Sequence, residues 1–153
     1  MMSGKIEYLS NKASTAQVAA HLLHCDADFV PTLSGRVDIN DYAQKITSKA
    51  IRFEAWSGGT LVGLVAAYCN DLEDRIAYIT SVSVLKAWTG KGIAAHLLSL
   101  CVEHAKVSGM QEISLEVASN NVPAISMYKK IGFIVGEDNA PLATMHLRLK
   151  GGK

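Results

Sequence analysis

Cysteine is scarce in this 153-residue chain, and the three present, Cys25, Cys69 and Cys101, are widely spaced, set among apolar residues and never paired as CxxC. That pattern excludes a disulfide frame or a zinc knuckle and leaves reduced thiols whose role is packing. Proline is as sparse: Pro31, Pro123 and Pro141 are scattered, and no Pro/Ser-rich linker, charge block or internal repeat divides the chain. One domain over 1–153, long enough to bury a real core, is the expectation. An excess of either charge is also lacking, since 15 Lys+Arg stand against 14 Asp+Glu for a net charge of +1. Without a general attraction to polyanions no nucleic-acid partner is expected, and any anion site must be local. Long hydrophobic runs are missing too. The longest, Leu61 to Tyr68, contains Gly63 and falls far short of the roughly 20 residues that span a bilayer, so no membrane partner is expected. The start, Met1-Met2-Ser3-Gly4-Lys5, does not have the form of a secretory signal, which makes the cytoplasm the expected compartment.

What is present is 49% hydrophobic and 19% charged residues, the make-up of a compact domain. Ser14 and Gln17 have the form of a capping box ahead of the stripe Val18, Ala19, Leu22 and Leu23, which predicts a helix ending near Asp26. Asp38 is placed to cap a second stripe, Ile39, Tyr42, Ala43, Ile46 and Ala50, with a mobile-looking loop from Asp26 to Val37 between the two. Strands Ile51 to Ser57 and Leu61 to Cys69 flank Gly58-Gly59, a tight hairpin turn, and a third long strand covers Arg75 to Leu85. From Gly92 the residues Ile93, Leu97, Leu98, Cys101, Val102 and Ala105 repeat with helical period up to Ser108-Gly109. Glu112 to Ala118 alternates as a strand, with Glu116 on the face opposite Ile113, Leu115 and Val117. A short helix, Val122 to Ile131, follows Asn120-Asn121 and is closed by Gly132; strands Phe133 to Val135 and Ala143 to Leu149 end the chain. The order β-α-α-β-β-β-α-β-α-β-β is that of a mixed α/β domain.

The most informative stretch is the strand ending Val82-Ser83-Val84, then Thr89-Gly90-Lys91-Gly92-Ile93-Ala94 leading into the best helix. A strand, a glycine turn and a helix start make an anion cradle. Glycine lets the backbone approach a ligand, and the unpaired amides and positive dipole end of the helix add to the field, so a pyrophosphate fits without net charge on the domain. A tight connection and nothing more is the plain alternative for the glycine pair.

This stretch resembles motif A of the GNAT (Gcn5-related N-acetyltransferase) family, Arg or Gln, two residues, Gly, one residue, then Gly or Ala. Gly92 and Ala94 match, while Thr89 stands where the family has Arg or Gln, so one side-chain contact is replaced and the backbone cradle kept. Leu115-Glu116-Val117, then Asn121-Val122-Pro123-Ala124 to Tyr128 and Gly132-Phe133, is similar to motif B. With the element order, the resemblance covers most of the chain and is weakest over the first 50 residues. It implies a GNAT fold: a central, mostly antiparallel, twisted sheet of about seven strands flanked by helices and splayed at an acetyl-CoA site. It implies acetyl-CoA as acetyl donor, direct transfer to an amine in a ternary complex, and self-association as a homodimer, for which the residues give no signal of their own. It implies too that the backbone of Val82, Ser83 and Val84 pairs with the pantetheine arm, that the turn Thr89 to Ala94, with Lys91, meets phosphate, and that Asn121 contacts the cofactor or caps the last helix.

The chemistry can be read from the residues as well. Moving acetyl from a thioester to an amine needs a base for the ammonium proton and an acid for the departing thiolate, because free amines are mostly protonated near neutral pH. Glu116 and Tyr128 suit those roles, and the family assigns base and acid to such positions. The plain alternatives are a solvated strand residue for Glu116 and a packing aromatic for Tyr128. Gly90-Lys91-Gly92-Ile93-Ala94-Ala95 also fits a relaxed dinucleotide fingerprint, with Glu116 as its ribose-binding acid. Four strands before the fingerprint and one helix remaining after its own weaken that NAD(P) reading, since a dinucleotide domain has the fingerprint after its first strand and several more βα units to follow. A third reading is a catalytically silent acyl-CoA-binding module. His21, His24 and Cys25 share part of a helix face but lack a fourth ligand, so no metal is expected. The acceptor stays open among a small amine, an amino sugar and a protein N-terminus.

Overall fold

The computed structural model describes residues 5–26 and 32–149. Their elements are β1 (Glu7–Ser10), α1 (Thr15–Cys25), α2 (Ile39–Lys49), β2 (Ile51–Ser57), β3 (Thr60–Tyr68), β4 (Ile76–Val84), a 3-10 turn (Lys86–Trp88), α3 (Ile93–Val107), β5 (Glu112–Ala118), α4 (Val122–Ile131), β6 (Ile134–Asn139) and β7 (Leu142–Arg148). Capping chemistry sets the helix starts. The Gln17 N–H donates to Ser14 Oγ at 3.1 Å while the Ser14 N–H donates to Gln17 Oε1 at 2.9 Å, and the Asp41 N–H donates to Asp38 Oδ1 at 3.0 Å.

The seven strands form one sheet in the order β1-β2-β3-β4-β5-β7-β6. β4 and β5 are the parallel pair; every other neighbouring pair is antiparallel. That arrangement rules out the doubly wound parallel sheet required by the dinucleotide reading. Helices cover both faces. On one, α1 and α2 bury Val18, Leu22, Ala43 and Ile46 against Trp56, Leu61 and Leu64 of the sheet. On the other, Ile93, Leu97, Leu98 and Cys101 of α3 join Phe53, Val65, Ile79, Ile113 and Leu115 in the larger core. Gly63 makes the approach of α3 to β3 possible, since a Cβ there would stand 2.8 Å from Ile93 Cγ2. Among the described residues no helix is long and apolar enough to cross a membrane.

Two expectations need correction. The last hairpin is longer than Phe133 to Val135, for β6 runs on to Asn139, bulges between Val135 and Asp138 and is exposed at all six positions. An edge strand that buries neither face carries no alternation to read. The loop from Asp26 to Val37 is built rather than loose over 32–37: Ser34 donates its N–H and its Oγ–H to the Asp26 carboxylate, each at 2.7 Å, and Leu33 is buried in the α1/α2 core. Its stretch 27–31 lies outside the described residues.

Candidate active site

β4 and β5 are in register only from Ile76 to Tyr78 and Glu112 to Ser114, and then they part. Each follows its other neighbour: β4 stays on β3 as far as Val84, with an extra residue, Thr80, bulged opposite Ala66 and Ala67, while β5 stays on β7 to Ala118. A bulge bends and twists its strand, which opens the sheet at this seam. The gap is a cleft of about 330 Å³ lined by Val82, Ser83 and Val84 on one side, Leu115 to Ala118 on the other, and Ala124, Met127 and Tyr128 of α4. Past Tyr78 the edge of β4 that faces β5 has no ladder partner, so an extended ligand could pair with it as an added strand.

The bulge also exchanges faces. Ala77 and Ile79 before it and Val82 and Val84 after it pack on the α3 side, whereas Ser83 turns toward α1. There His21, 3% exposed, has Nδ1 3.0 Å from the Leu61 carbonyl and Nε2 2.8 Å from Ser83 Oγ. A carbonyl only accepts, so Nδ1 carries the hydrogen and Nε2 accepts from Ser83. Burial pushes the His21 pKa down to about 4, with the neighbouring His24 adding to the shift, so the ring is neutral. Cys25 Sγ lies 3.8 Å from the same Nε2. His24 instead points outward and bonds the Ala20 carbonyl at 2.8 Å, so the three do not converge on a common point. No metal-holding cluster occurs among the described residues.

At the other end of the cleft, Gly90 and Gly92 adopt φ of 77° and 80°, left-handed values that side chains resist. Gly92 is the N-cap of α3 and brings no capping side chain, so the first-turn amides have no side-chain acceptor. They border a second hollow of about 420 Å³, lined by Trp88, Thr89, Gly90, Gly92, Ile93 and Ala94 together with Pro123 and Met127. Val84, Thr89, Ala94, Asn121, Ala124 and Met127 line both hollows, so the two adjoin. The Thr89 hydroxyl is occupied locally, donating to the Lys86 carbonyl at 2.8 Å. Asn121 thus lines both and caps α4, its Oδ1 accepting the Ala124 N–H at 3.3 Å. Lys91 is exposed and lines neither hollow.

Tyr128 and Glu116 reach the cleft from opposite faces of the sheet. Tyr128, 5% exposed, belongs to the α3-side core and packs on Phe133 with ring centroids 5.7 Å apart; burial pushes its pKa up to about 12, so the phenol keeps its proton. Glu116 is exposed on the face opposite Leu115 and Val117. It lies close enough to Tyr78 to help raise that phenol's pKa, burial being the larger cause. Four lining or flanking residues carry no motif: His21, Cys25, Arg36 and Tyr78. Only the polar spacing of Ser81 and Ser83 on a strand otherwise destined for the core hints at a partner such as His21.

The profile described as the acetyltransferase (GNAT) family matches residues 18–133, and the chain belongs to that family. An N-alpha-acetyltransferase of Arabidopsis thaliana is 31% identical over 83 residues, which are 54% of this chain and 44% of that one. The chain thus spans less than half the length of such curated relatives. In fold it is similar to the ribosomal-protein-S18-alanine N-acetyltransferase from Escherichia coli, with a TM-score of 0.75 at 16% identity over 95% of this chain and 94% of that one. It is likewise similar to the PaiA N-acetyltransferase from Thermoplasma acidophilum in complex with coenzyme A, with a TM-score of 0.71 at 19% identity, covering 94% and 99% of the two chains.

Proposed function

We propose that the protein transfers acetyl from acetyl-CoA to a primary amine by direct attack in a ternary complex. The observation that carries this reading is the pair of adjoining hollows, one at the uncapped start of α3 and one between the parted strands, the latter with Tyr128 and Glu116 on its walls. The pyrophosphate fits the amides after Gly90 and Gly92, and the pantetheine arm fits the unpaired edge of β4 at Val82 to Val84. Glu116 takes a proton from the ammonium group. The freed nitrogen attacks the thioester carbon, the N–C bond forms, and the C–S bond breaks with its electron pair passing to sulfur. Tyr128, protonated at every ordinary pH, donates its proton to that sulfur; the second proton that the nitrogen sheds as the amide forms passes to solvent, from which the phenolate regains one. The sheet that runs from Glu7 to Arg148 supports reading 1–153 as one domain acting in this way.

Calorimetric titration with acetyl-CoA and, in parallel, NADH tests the cofactor. Acetyl-CoA binding without NADH binding, followed by amine-dependent release of free thiol, is the expected result. NADH binding alone would sink the assignment, and acetyl-CoA binding with no turnover on any amine would leave a silent module.

A further inference from the structure

Arg36 is exposed on a fixed turn and, among the described residues, has no ion-pair partner. The turn that carries it is held at three points: Leu33 is buried, Ser34 is bonded twice to Asp26, and the Arg36 and Val37 N–H groups donate to the Leu33 carbonyl at 2.9 and 3.0 Å. Its side chain lines the cleft with Glu116 and is absent from the hollow beside Gly90 and Gly92, so it stands at the acceptor end rather than the pyrophosphate end. The ion pairs among the described residues are Arg52 with Glu54 and Glu112 with His146, so no carboxylate of the described chain neutralises Arg36. Tyr78 feels the charge of both Glu116 and Arg36, and Tyr42 feels that of Arg36 as well, which places the two opposite charges around shared ground.

A guanidinium at a cleft wall with no counterion among the described residues is a fork for a carboxylate or a phosphate. Glu116, on the same cleft, suits the ammonium end of the same molecule. Resting on the acetyltransferase reading, we propose that Arg36 selects acceptors that carry an anionic group, carboxylate or phosphate, in addition to the reacting amine. An acceptor of amine alone would leave this charge unmatched, and a polycationic one would be repelled by it.

The test pairs amines that differ in the anion only. Glycine is set against glycinamide and 4-aminobutyrate against its amide for the carboxylate, phosphoethanolamine against ethanolamine for the phosphate, with thiol release followed at saturating acetyl-CoA. At least one charged member should exceed its neutral twin in kcat/KM by about tenfold or more, chiefly through KM, as expected for a charge-assisted bond. Arg36→Gln should bring that ratio close to one, with the larger loss in kcat/KM falling on the charged members, and Arg36→Lys should restore part of it. A preference unchanged in Arg36→Gln, or a wild-type preference for the neutral twins, overturns the inference. So does absence of turnover with all six amines when calorimetry shows acetyl-CoA bound. Failure to bind acetyl-CoA overturns the transfer reading itself and this one with it.

Discussion

The Ser83 hydroxyl donates to His21 Nε2 at 2.8 Å, tying the strand that walls the cleft to the first helix. Burial is the main cause that disfavours a second proton on His21, while its bonds to Leu61 and Ser83 act the other way. Its folded pKa of about 4 lies below the ordinary 6.5, so between those values the unfolded chain binds more protons than the folded one. The resulting stability is fully present above pH 6.5 and is lost as pH falls toward 4. At 1.36 kcal/mol per pKa unit the loss is on the order of 3 kcal/mol. Urea midpoints measured from pH 7.5 to 4 should show this decline in the wild type and a flatter profile in His21→Gln; equal slopes would remove His21 as the cause.

Glu54 is a second buried polar hub, fully enclosed on β2. Its carboxylate accepts the Lys12 N–H at 3.0 Å, the Ala13 N–H, Trp56 Nε1–H at 3.0 Å and Arg52 Nε–H at 3.1 Å, clamping the link from β1 to α1 onto the sheet. Glu54→Ala strands the Arg52 guanidinium, itself 6% exposed, and should cost about 3–5 kcal/mol, read by chemical denaturation. Loss below about 1 kcal/mol would show that the guanidinium finds water instead.

These two hubs also show where sequence reasoning stops. Ser14, Gln17 and Asp38 announce their helices because a cap is a local bond; β2 and β3 are marked by apolar runs around Gly58-Gly59, β4 by its β-branched residues and β5 by alternation, all local patterns. Arg52, Glu54 and Trp56 alternate along one face of β2, and nothing local tells that this face is enclosed. That face is covered by α1 and α2, and beside Arg52 and Trp56 the groups that satisfy Glu54 are the N–H groups of Lys12 and Ala13, about forty positions away. The parting of β4 from β5 likewise rests on the Thr80 bulge and on the pull of β3 and β7, none of which has a local signature. Glu116 and Tyr128 could be named in advance because a two-part motif marks them. Arg36 could not, since its place depends on Leu33 and Asp26 rather than on any pattern around it.

Gly92 tests the cradle. At φ of 80° an alanine costs about 1–2 kcal/mol in backbone strain. A Cβ there meets no atom of the chain within 4 Å, so the added loss in acetyl-CoA binding reports the ligand's approach rather than a clash. Gly59→Ala, strained at φ of 81° in the β2–β3 turn and equally open, supplies the control. Gly92→Ala should weaken acetyl-CoA binding in calorimetry by about tenfold or more, the value of roughly one charge-assisted bond, whereas Gly59→Ala should not. Equal affinities in the two variants would reduce the glycine turn to a connection.

Tyr128 and Glu116 should fail in different ways. Tyr128→Phe keeps the ring on Phe133 and removes a hydroxyl that makes no hydrogen bond to another described residue, so stability should hardly change. If the phenol protonates the thiolate, kcat should fall by about 10²–10⁴ with acetyl-CoA affinity retained. Glu116→Gln removes the proton acceptor and leaves the acid, so its activity should return as pH rises toward the pKa of the amine itself, roughly 8 for an α-amine and 10.4 for a lysine-like one. Since Tyr128 holds its proton until about pH 12, it adds no falling limb within that range. A Glu116→Gln profile parallel to wild type would move the base elsewhere, and an unaltered kcat in Tyr128→Phe would make the buried phenol a packing residue alone.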